Sequence, residues 1–341
     1  MTIKNFTPKS LFAFLIMVFL QVSIYGQTKV GTTVGQFLKI EPSARGAALG
    51  NAGTSLTGEA TLAYYNPASL GRLPQSSVQF LYSKWLADIS YNYAVAAIKI
   101  GTIGTFLLQI TALNSGEIDV TTVDKPLGTG ERYDVTNFAI GGGYGRMVTD
   151  RVAVGFQLNY LKERIWHSSL SSLGLNLGVQ YQLNKNGATL GASFSNFGPR
   201  SRYSGTDIYI EYDQNRDIYG DNDQIPSQLQ TESFGIPTLF RVGFSYPFLL
   251  NEANKFLLAV DAMHQNDNSE SVNFGAEWTL FKTLSIRGGY RNLLLEDLEG
   301  GLVLGAGLNF RSASYFLSID YAWADYGLLD YTQRFSLGLG F

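Results

Sequence analysis

From residue 76 onward, apolar and polar side chains alternate in short runs. The runs cut the chain into about fourteen strand-length segments. In 152–160, Val152, Val154, Phe156, Leu158 and Tyr160 share one face, opposite Ala153, Gly155, Gln157 and Asn159. In 173–183, Leu173, Leu175, Leu177, Val179, Tyr181 and Leu183 oppose Gly174, Asn176, Gly178, Gln180 and Gln182. The stretches 272–280 and 315–323 alternate in the same way, through Trp278 and Trp323 on their apolar faces. The other segments are 76–85, 89–100, 103–114, 134–146, 187–197, 236–247, 255–264, 283–292, 301–310 and 330–341. Very short links, such as Thr149-Asp150 and Phe281-Lys282, alternate with links that are often longer and more polar, such as 115–133, 198–235 and 293–300. Strands that are apolar outside and polar inside, with short turns at one end and long loops at the other, predict an all-β chain: an antiparallel transmembrane β-barrel. An antiparallel water-soluble protein alternates too, so periodicity alone leaves closure open.

The two ends of the chain favour the membrane. In the last strand Phe335, Leu337, Leu339 and Phe341 lie on one side, and Ser336, Gly338 and Gly340 on the other. That tail resembles the C-terminal signal by which bacterial outer-membrane proteins are recognised for insertion. Residues 1–26 read as a secretory signal peptide. Lys4 and Lys9 precede an apolar run, Leu11 to Leu20, and small residues around Ser23 and Gly26 allow cleavage before Gln27. No later stretch approaches the eighteen or so apolar residues of a spanning helix. The expected location is the outer membrane of a Gram-negative bacterium, with its lipid as a partner.

Composition agrees with this. Apolar residues are 45% and charged ones only 16%, low for a soluble chain of this size. The 20 Tyr and 22 Phe can form belts at the two lipid–water boundaries. With no Cys there is neither a disulfide framework nor thiol chemistry. A net charge of −3 offers no broad basic surface, so nucleic acid is not an expected partner.

Residues 27–75 do not alternate. They are too rich in small residues to build a core and too apolar for a disordered tail, which suits a piece packed inside the barrel, 76–341. Ser43-Ala44-Arg45 can start a short helix through Leu49, stopped by Gly50. Asn66-Pro67 is a turn signal, and Ala68 to Leu70 can add a helical turn. Phe37-Leu38, the run from Pro42-Ser43-Ala44-Arg45 to Gly50, and Tyr65-Asn66-Pro67-Ala68-Ser69-Leu70 together resemble the N-terminal signature of the PorV/PorQ family of the type IX secretion system. That family is similar to the fatty-acid transporter FadL. The resemblance implies a fourteen-stranded barrel plugged by an N-terminal hatch with an Asn-Pro-Ala turn. It marks Pro42, Ser43, Ala44, Arg45, Asn66, Pro67 and Ala68 as the hatch motif.

Charged positions are also informative. Arg241, Asp261, Glu277, Arg287, Asp320 and Arg334 all fall on the polar phase of C-terminal strands. Opposite charges at similar depth are expected to pair, because an unpaired charge in a poorly hydrated interior is costly. Arg45 is expected to meet a lumen carboxylate. Tyr64-Tyr65, Trp85, Trp166, Trp278 and Trp323 read as belt or packing residues, and Gly141-Gly142-Gly143 as room for the hatch. In loop 206–223, Asp213, Asn215, Asp217, Asp221 and Asp223 could hold Ca²⁺, although Ile218 stands where an EF-hand needs Gly. A solvated acidic loop is the default, and no cofactor is expected. No enzyme emerges: the only His residues are His167 and His264, and no Gly-x-Ser-x-Gly elbow is present.

The function expected from the resemblance is a non-enzymatic component of type IX protein secretion, engaging translocon or cargo through its loops. The alternative is a FadL-like channel for hydrophobic small molecules. A third reading is a hydrolase with a Ser–His pair. The charged lumen phase leans toward secretion, because a lipophile route wants an apolar tunnel.

Overall fold

The computed structural model describes residues 30–184, 187–214, 217, 224–295, 298, 300–312 and 314–341; the signal-peptide reading of 1–26 lies outside them. Fourteen strands form one closed antiparallel barrel. They are β1 Ser77–Lys84, β2 Ser90–Ile100, β3 Gly104–Asp119, β4 Arg132–Met147, β5 Val152–Ile165, β6 Ser168–Gln182 and β7 Thr189–Phe197. After a long loop follow β8 Leu239–Leu249, β9 Lys255–Gln265, β10 Asn268–Leu280, β11 Leu284–Leu293, β12 Leu302–Arg311, β13 Phe316–Asp325 and β14 Tyr331–Gly340. Each strand pairs with its chain neighbours. Closure is made by β14 on β1, in register from Ser77 opposite Gly340 to Lys84 opposite Gln333. A closed ring leaves no unpaired edge, which is what lets strands cross a lipid layer.

Alternation sorts the side chains. Phe80, Leu108, Phe156, Leu173, Phe240, Leu304, Ile319 and Leu337 point outward and are 45–60% exposed. So continuous an apolar exterior far exceeds the patches that water-soluble monomers tolerate. Phe335, Leu339 and Phe341 belong to the same outer face, exposed at 51, 44 and 54%. Among the described residues no helix is long and apolar enough to cross a membrane.

Two ends can be told apart. The turn end, which holds Phe341, has only short connections. The loop end has the longest ones, 120–131 and 198–238. Two hairpins extend further at the loop end than the sequence pattern indicates. β3 and β4 stay paired, past a register shift between Asn114 and Glu117, to Asp119 opposite Arg132, and β5 and β6 continue in register to Ile165 opposite Ser168. Above the apolar band both faces of a strand are polar, so alternation fades while the hydrogen-bond ladder continues.

The N-terminal segment runs inside the ring. It starts at the loop end, where the Val34 N–H donates to the Gly235 carbonyl at 3.0 Å. It reaches the turn end, where Lys99 Nζ donates to the Leu73 carbonyl at 2.7 Å. Between them lie 3₁₀ turns at Gln36–Lys39, Ala60–Tyr64 and Pro67–Arg72, and one short helix, α1, Ala44–Ala48. Ser43 caps α1 by accepting the Gly46 N–H at 3.0 Å, and Gly50 ends it in the left-handed region, φ 65°. Ala44, Ala48, Leu49, Ala60, Leu62, Ala63, Ala68 and Leu70 are fully buried.

Glycines on the wall let this segment approach. A Cβ at Gly145 or Gly155 would strike Pro67 or Leu70, and one at Gly275 would strike the Leu49 backbone. The triplet Gly141-Gly142-Gly143 does not serve this purpose. The space over Gly141 and Gly143 is taken by Asn159 and Gln157 of the wall itself. Small residues on both sides therefore set the fit, as close packing requires.

Gly155→Val tests that fit. Its side chain meets the carbonyl of Pro67 and the amide of Ala68, both backbone, so the segment has to move. The expected result is a folded barrel destabilised by about 1–3 kcal/mol, with 60–72 newly protease-sensitive. Thermal unfolding in detergent and limited proteolysis read this out.

Candidate functional site

The charged lumen residues predicted from the sequence form two buried ion-pair clusters, with Arg241 and Asp261 outside both. In the first cluster Arg45 of the inner segment grips Glu277 with two bonds, Nε to Oε2 at 2.8 Å and Nη2 to Oε1 at 2.9 Å. Arg45 also reaches Glu59 at 3.2 Å. Glu277 faces Arg287 directly across β10 and β11, and Arg287 Nε meets its Oε2 at 2.7 Å. Arg287 Nη1 then bonds Asp320 Oδ1 at 2.5 Å, spanning β12. This is possible because Gly307 of β12 has no side chain there; a Cβ would overlap Asp320 and Arg287. In the second cluster Arg334 Nη2 bonds Glu41 Oε2 at 2.6 Å, and Glu41 accepts from Asn51 as well. Both clusters join inner segment to wall.

Arg241 and Asp261 do not pair, contrary to the expectation from their signs. In the β8–β9 register Asp261 stands opposite Gly243, whereas Arg241 stands opposite Met263. Asp261 takes the Thr54 N–H at 2.9 Å instead. Arg241 lies over the rings of Tyr64 and Tyr65, 5.4 and 6.0 Å from their centroids, and makes no ion pair among the described residues. It is 4% exposed and its Nη1 also donates to Ser195 Oγ at 3.4 Å, so this cation is held in a desolvated place by cation–π contact and one neutral hydrogen bond.

The second half of the hatch motif acts through Asn66. Its side chain accepts the Ala68 N–H at 3.0 Å and donates to the carbonyls of Thr54 at 2.9 Å and Val179 at 3.0 Å. Pro67 follows at the first position of its 3₁₀ turn, where no N–H is needed. Asn66 thus ties two parts of the segment to β6. Pro42 leads into the cap of α1 and borders a small internal space of about 30 Å³ against β2–β8.

Above these contacts a cavity of about 430 Å³ opens at the loop end. Phe37, Ile40, Tyr64, Tyr65, Leu113, Leu239 and Met263 supply its apolar lining. Glu41, Glu163, Arg241 and Arg291 supply charge, together with Lys39, which is paired with Asp267 at 3.2 Å. Glu163 accepts from the Gly35 N–H and the Tyr203 hydroxyl, each at 3.0 Å. Arg291 stacks 3.5 Å over Tyr326, donates to the Asp325 carbonyl at 2.9 Å, and makes no ion pair among the described residues. Sequence reasoning missed Arg291 because its strand, β11, was read as ending at 292, where it looks like a rim residue. Glu41 was missed because nothing in the inner segment shows which way it turns.

Other candidates lie apart. Asn215, Asp221 and Asp223 of the acidic loop fall outside the described residues, and Asp213 and Asp217 lie beside that gap. Among the described residues no three His, Cys, Asp or Glu side chains cluster as a metal site. His167 Nδ1 and Ser168 Oγ both contact Asp207, at 2.9 and 3.1 Å. His264 contacts Glu270 at 3.0 Å. Trp166 sits on the β5–β6 turn, packed against the rings of Tyr133 and His167.

No protein-family model matches the chain, and no curated protein matches it. Solved structures do. The Pseudomonas putida toluene transporter TodX is similar with a TM-score of 0.55 and 11% identity, over 88% of this chain and 97% of that one. The Ralstonia pickettii toluene transporter TbuX is similar with a TM-score of 0.53 and 12% identity, over 88% and 98%. The fold is that of the FadL-like barrels. A Pseudomonas aeruginosa FadL homologue is also similar, with a TM-score of 0.48 and 12% identity over 91% and 99%. TodX and TbuX are toluene transporters, and none of the comparisons points to the PorV/PorQ family.

Two predictions follow from the geometry. Glu277→Gln removes the shared acceptor of two buried guanidinium groups. It is expected to destabilise the protein by about 3–5 kcal/mol, because the cations stay buried without it; calorimetry in detergent checks this.

The other concerns Asp267, in the β9–β10 turn. Burial alone would raise its carboxyl. Hydrogen bonds from Thr33 and Gln36 and the Lys39 ammonium overcome this and hold it below the usual range. A depressed carboxyl contributes stability above its unfolded pKa, about 3.9, and loses it as pH falls through the folded value. Amide protection factors at 33–39, with the intrinsic rate at each pH divided out, should therefore fall below about pH 4, and Asp267→Asn should remove that pH dependence.

Proposed function

We propose that this protein is a bacterial outer-membrane barrel that takes up small hydrophobic molecules bearing an acidic group, capturing them in the loop-end cavity. One observation carries the reading. The 430 Å³ cavity joins an apolar, aromatic lining to two buried arginines, Arg241 and Arg291, neither of which makes an ion pair among the described residues. Concave, mostly apolar sites with a few placed polar groups are where proteins hold small ligands. A carboxylate is the group that two such guanidiniums receive best, through charge-assisted hydrogen bonds. The FadL-like fold supports transport as the purpose of capture, with the inner segment as a hatch. The outward apolar surface and the final strand support the membrane location.

A component of type IX secretion is the second reading, and a specific observation favours it. Both ion-pair clusters fasten the inner segment to the wall, which suits a static plug behind a loop surface that meets secretion partners. The resemblance of residues 42–50 and 65–70 to the PorV/PorQ signature points the same way.

The experiment is a binding titration of purified protein with decanoate and with toluene, in wild type and Arg241→Gln. The expected outcome is saturable decanoate binding that the variant weakens about tenfold or more, with toluene affinity unchanged. A deletion strain supplies the second arm. Absence of decanoate binding, together with lost export of cargo in that strain, would replace the uptake reading with the secretion one.

A further inference from the structure

At the loop end, the extended β3–β4 and β5–β6 hairpins and the chain after β7 enclose an open cleft of about 470 Å³ that lies apart from the loop-end cavity. Its floor is aromatic. The rings of Trp166 and Tyr133 lie 5.8 Å apart at an interplanar angle of 33°, and the indole stacks on His167 at 4.7 Å. Tyr203 completes the wall, its hydroxyl fixed on Glu163 at 3.0 Å.

Trp166 occupies the two-residue turn between paired Ile165 and Ser168, in the left-handed region with φ 51°. Bulky side chains rarely adopt that conformation, and turns of this kind ordinarily use Asn or Gly. The strained residue presents its indole at 37% exposure rather than burying it. Strain of this kind, held by the surrounding ladder, is a pointer to function.

The rim supplies oriented acceptors. Asp207 is fixed by His167 Nδ1 at 2.9 Å and Ser168 Oγ at 3.1 Å. Asp119 is fixed by Arg132 Nε at 2.8 Å. Each carboxylate has lone pairs left for further donors. Two nearby cations are already engaged, Arg132 with Glu117 and Asp119, and Arg164 with Asp134. Such a rim disfavours an anionic ligand. It also disfavours an apolar chain, which would strip water from two carboxylates without replacing it.

We propose that this cleft binds a neutral carbohydrate. The C–H face of a sugar ring lies on Trp166 and Tyr133, whose π-faces are negative and attract it. Its hydroxyls donate to Asp119 and Asp207. The glycan is either a free oligosaccharide or the saccharide part of a surface glycolipid, and the two sources are separable.

The test is isothermal titration of the full protein in detergent with cellohexaose, maltohexaose and delipidated O-polysaccharide. At least one should bind saturably and with little change in about 0.5 M salt, since the sugar is neutral and forms no ion pair. Trp166→Ala should weaken it about tenfold and Trp166→Phe less, while Arg241→Gln leaves it unchanged. Heat-modifiable gel migration confirms that each variant is folded, and Tyr133→Ala is the independent second variant. Binding of the O-polysaccharide alone assigns the glycolipid source, and binding of a hexaose assigns the free one. Absence of saturable binding by all three at about 10 mM overturns the proposal. So does binding unchanged in both aromatic variants, or displacement of the sugar by decanoate or by an unrelated peptide.

Discussion

The bidentate bond between Arg45 and Glu277 joins the two parts of this molecule, and the rest of the lumen is arranged around it. Neither ion could sit there alone, because burying an uncompensated charge costs more than the fold can spare. Glu277 therefore draws Arg287 from the next strand, and Arg287 draws Asp320 from two strands further on. Gly307 has to be Gly so that the guanidinium can pass over β12. One contact between segment and wall thus dictates residue types on four strands. The same logic, in smaller form, ties Glu41 to Arg334.

Around the rest of the ring the segment is held differently. On the β4–β7 side most links are neutral: Asn66 to the Val179 carbonyl, Gln180 to the carbonyls of Thr54 and Leu56, and backbone packed on Gly155 and Gly145, with charge only where Glu163 takes the Gly35 N–H and Arg72 meets Gln182. Apart from Glu163 near the loop end, the buried polar residues on β2–β7 are uncharged. The lumen is therefore divided, with ions on the β8–β14 side and amides, hydroxyls and glycines on the other.

Much of this was legible in the sequence, and the reason is physical. A strand that crosses lipid must be apolar on one face, so the period of two marks every crossing from β1 to β14. Where the strands leave the lipid that constraint ends. The extensions Gly116–Asp119 and Leu161–Ile165 carry no alternation strong enough to read. The inner segment was legible as local pieces, the Ser43 cap and the Asn66-Pro67 turn, because caps and turns depend on neighbours in sequence. Its long-range partners were not. Signs alone suggested that Arg241 pairs with Asp261, but a two-residue offset in the β8–β9 register separates them. Which glycines admit the segment was equally hidden, since Gly141 and Gly155 look alike until Asn159 is seen filling the space over one of them. Trp166 read as a belt residue because a sequence cannot show that its backbone turns left-handed.

The division of the lumen bears on how a ligand could travel. Straight descent from the cavity meets the Arg45–Glu277–Arg287–Asp320 cluster, and parting those ions beside an apolar molecule leaves charges with neither water nor partner. The small space against β2–β8 shares Phe37, Ile40, Tyr64, Leu239 and Arg241 with the cavity and is otherwise walled by neutral groups such as Gln109, Gln157, Asn159 and Asn176. Apart from the Glu163 and Arg72 contacts, displacing the segment from that side exchanges neutral hydrogen bonds, each worth about 1 kcal/mol net. The ion pairs can stay closed while this happens. A firmly anchored segment and a transport role are therefore compatible in one barrel, provided that the route lies on the neutral side and the charged side acts as the hinge.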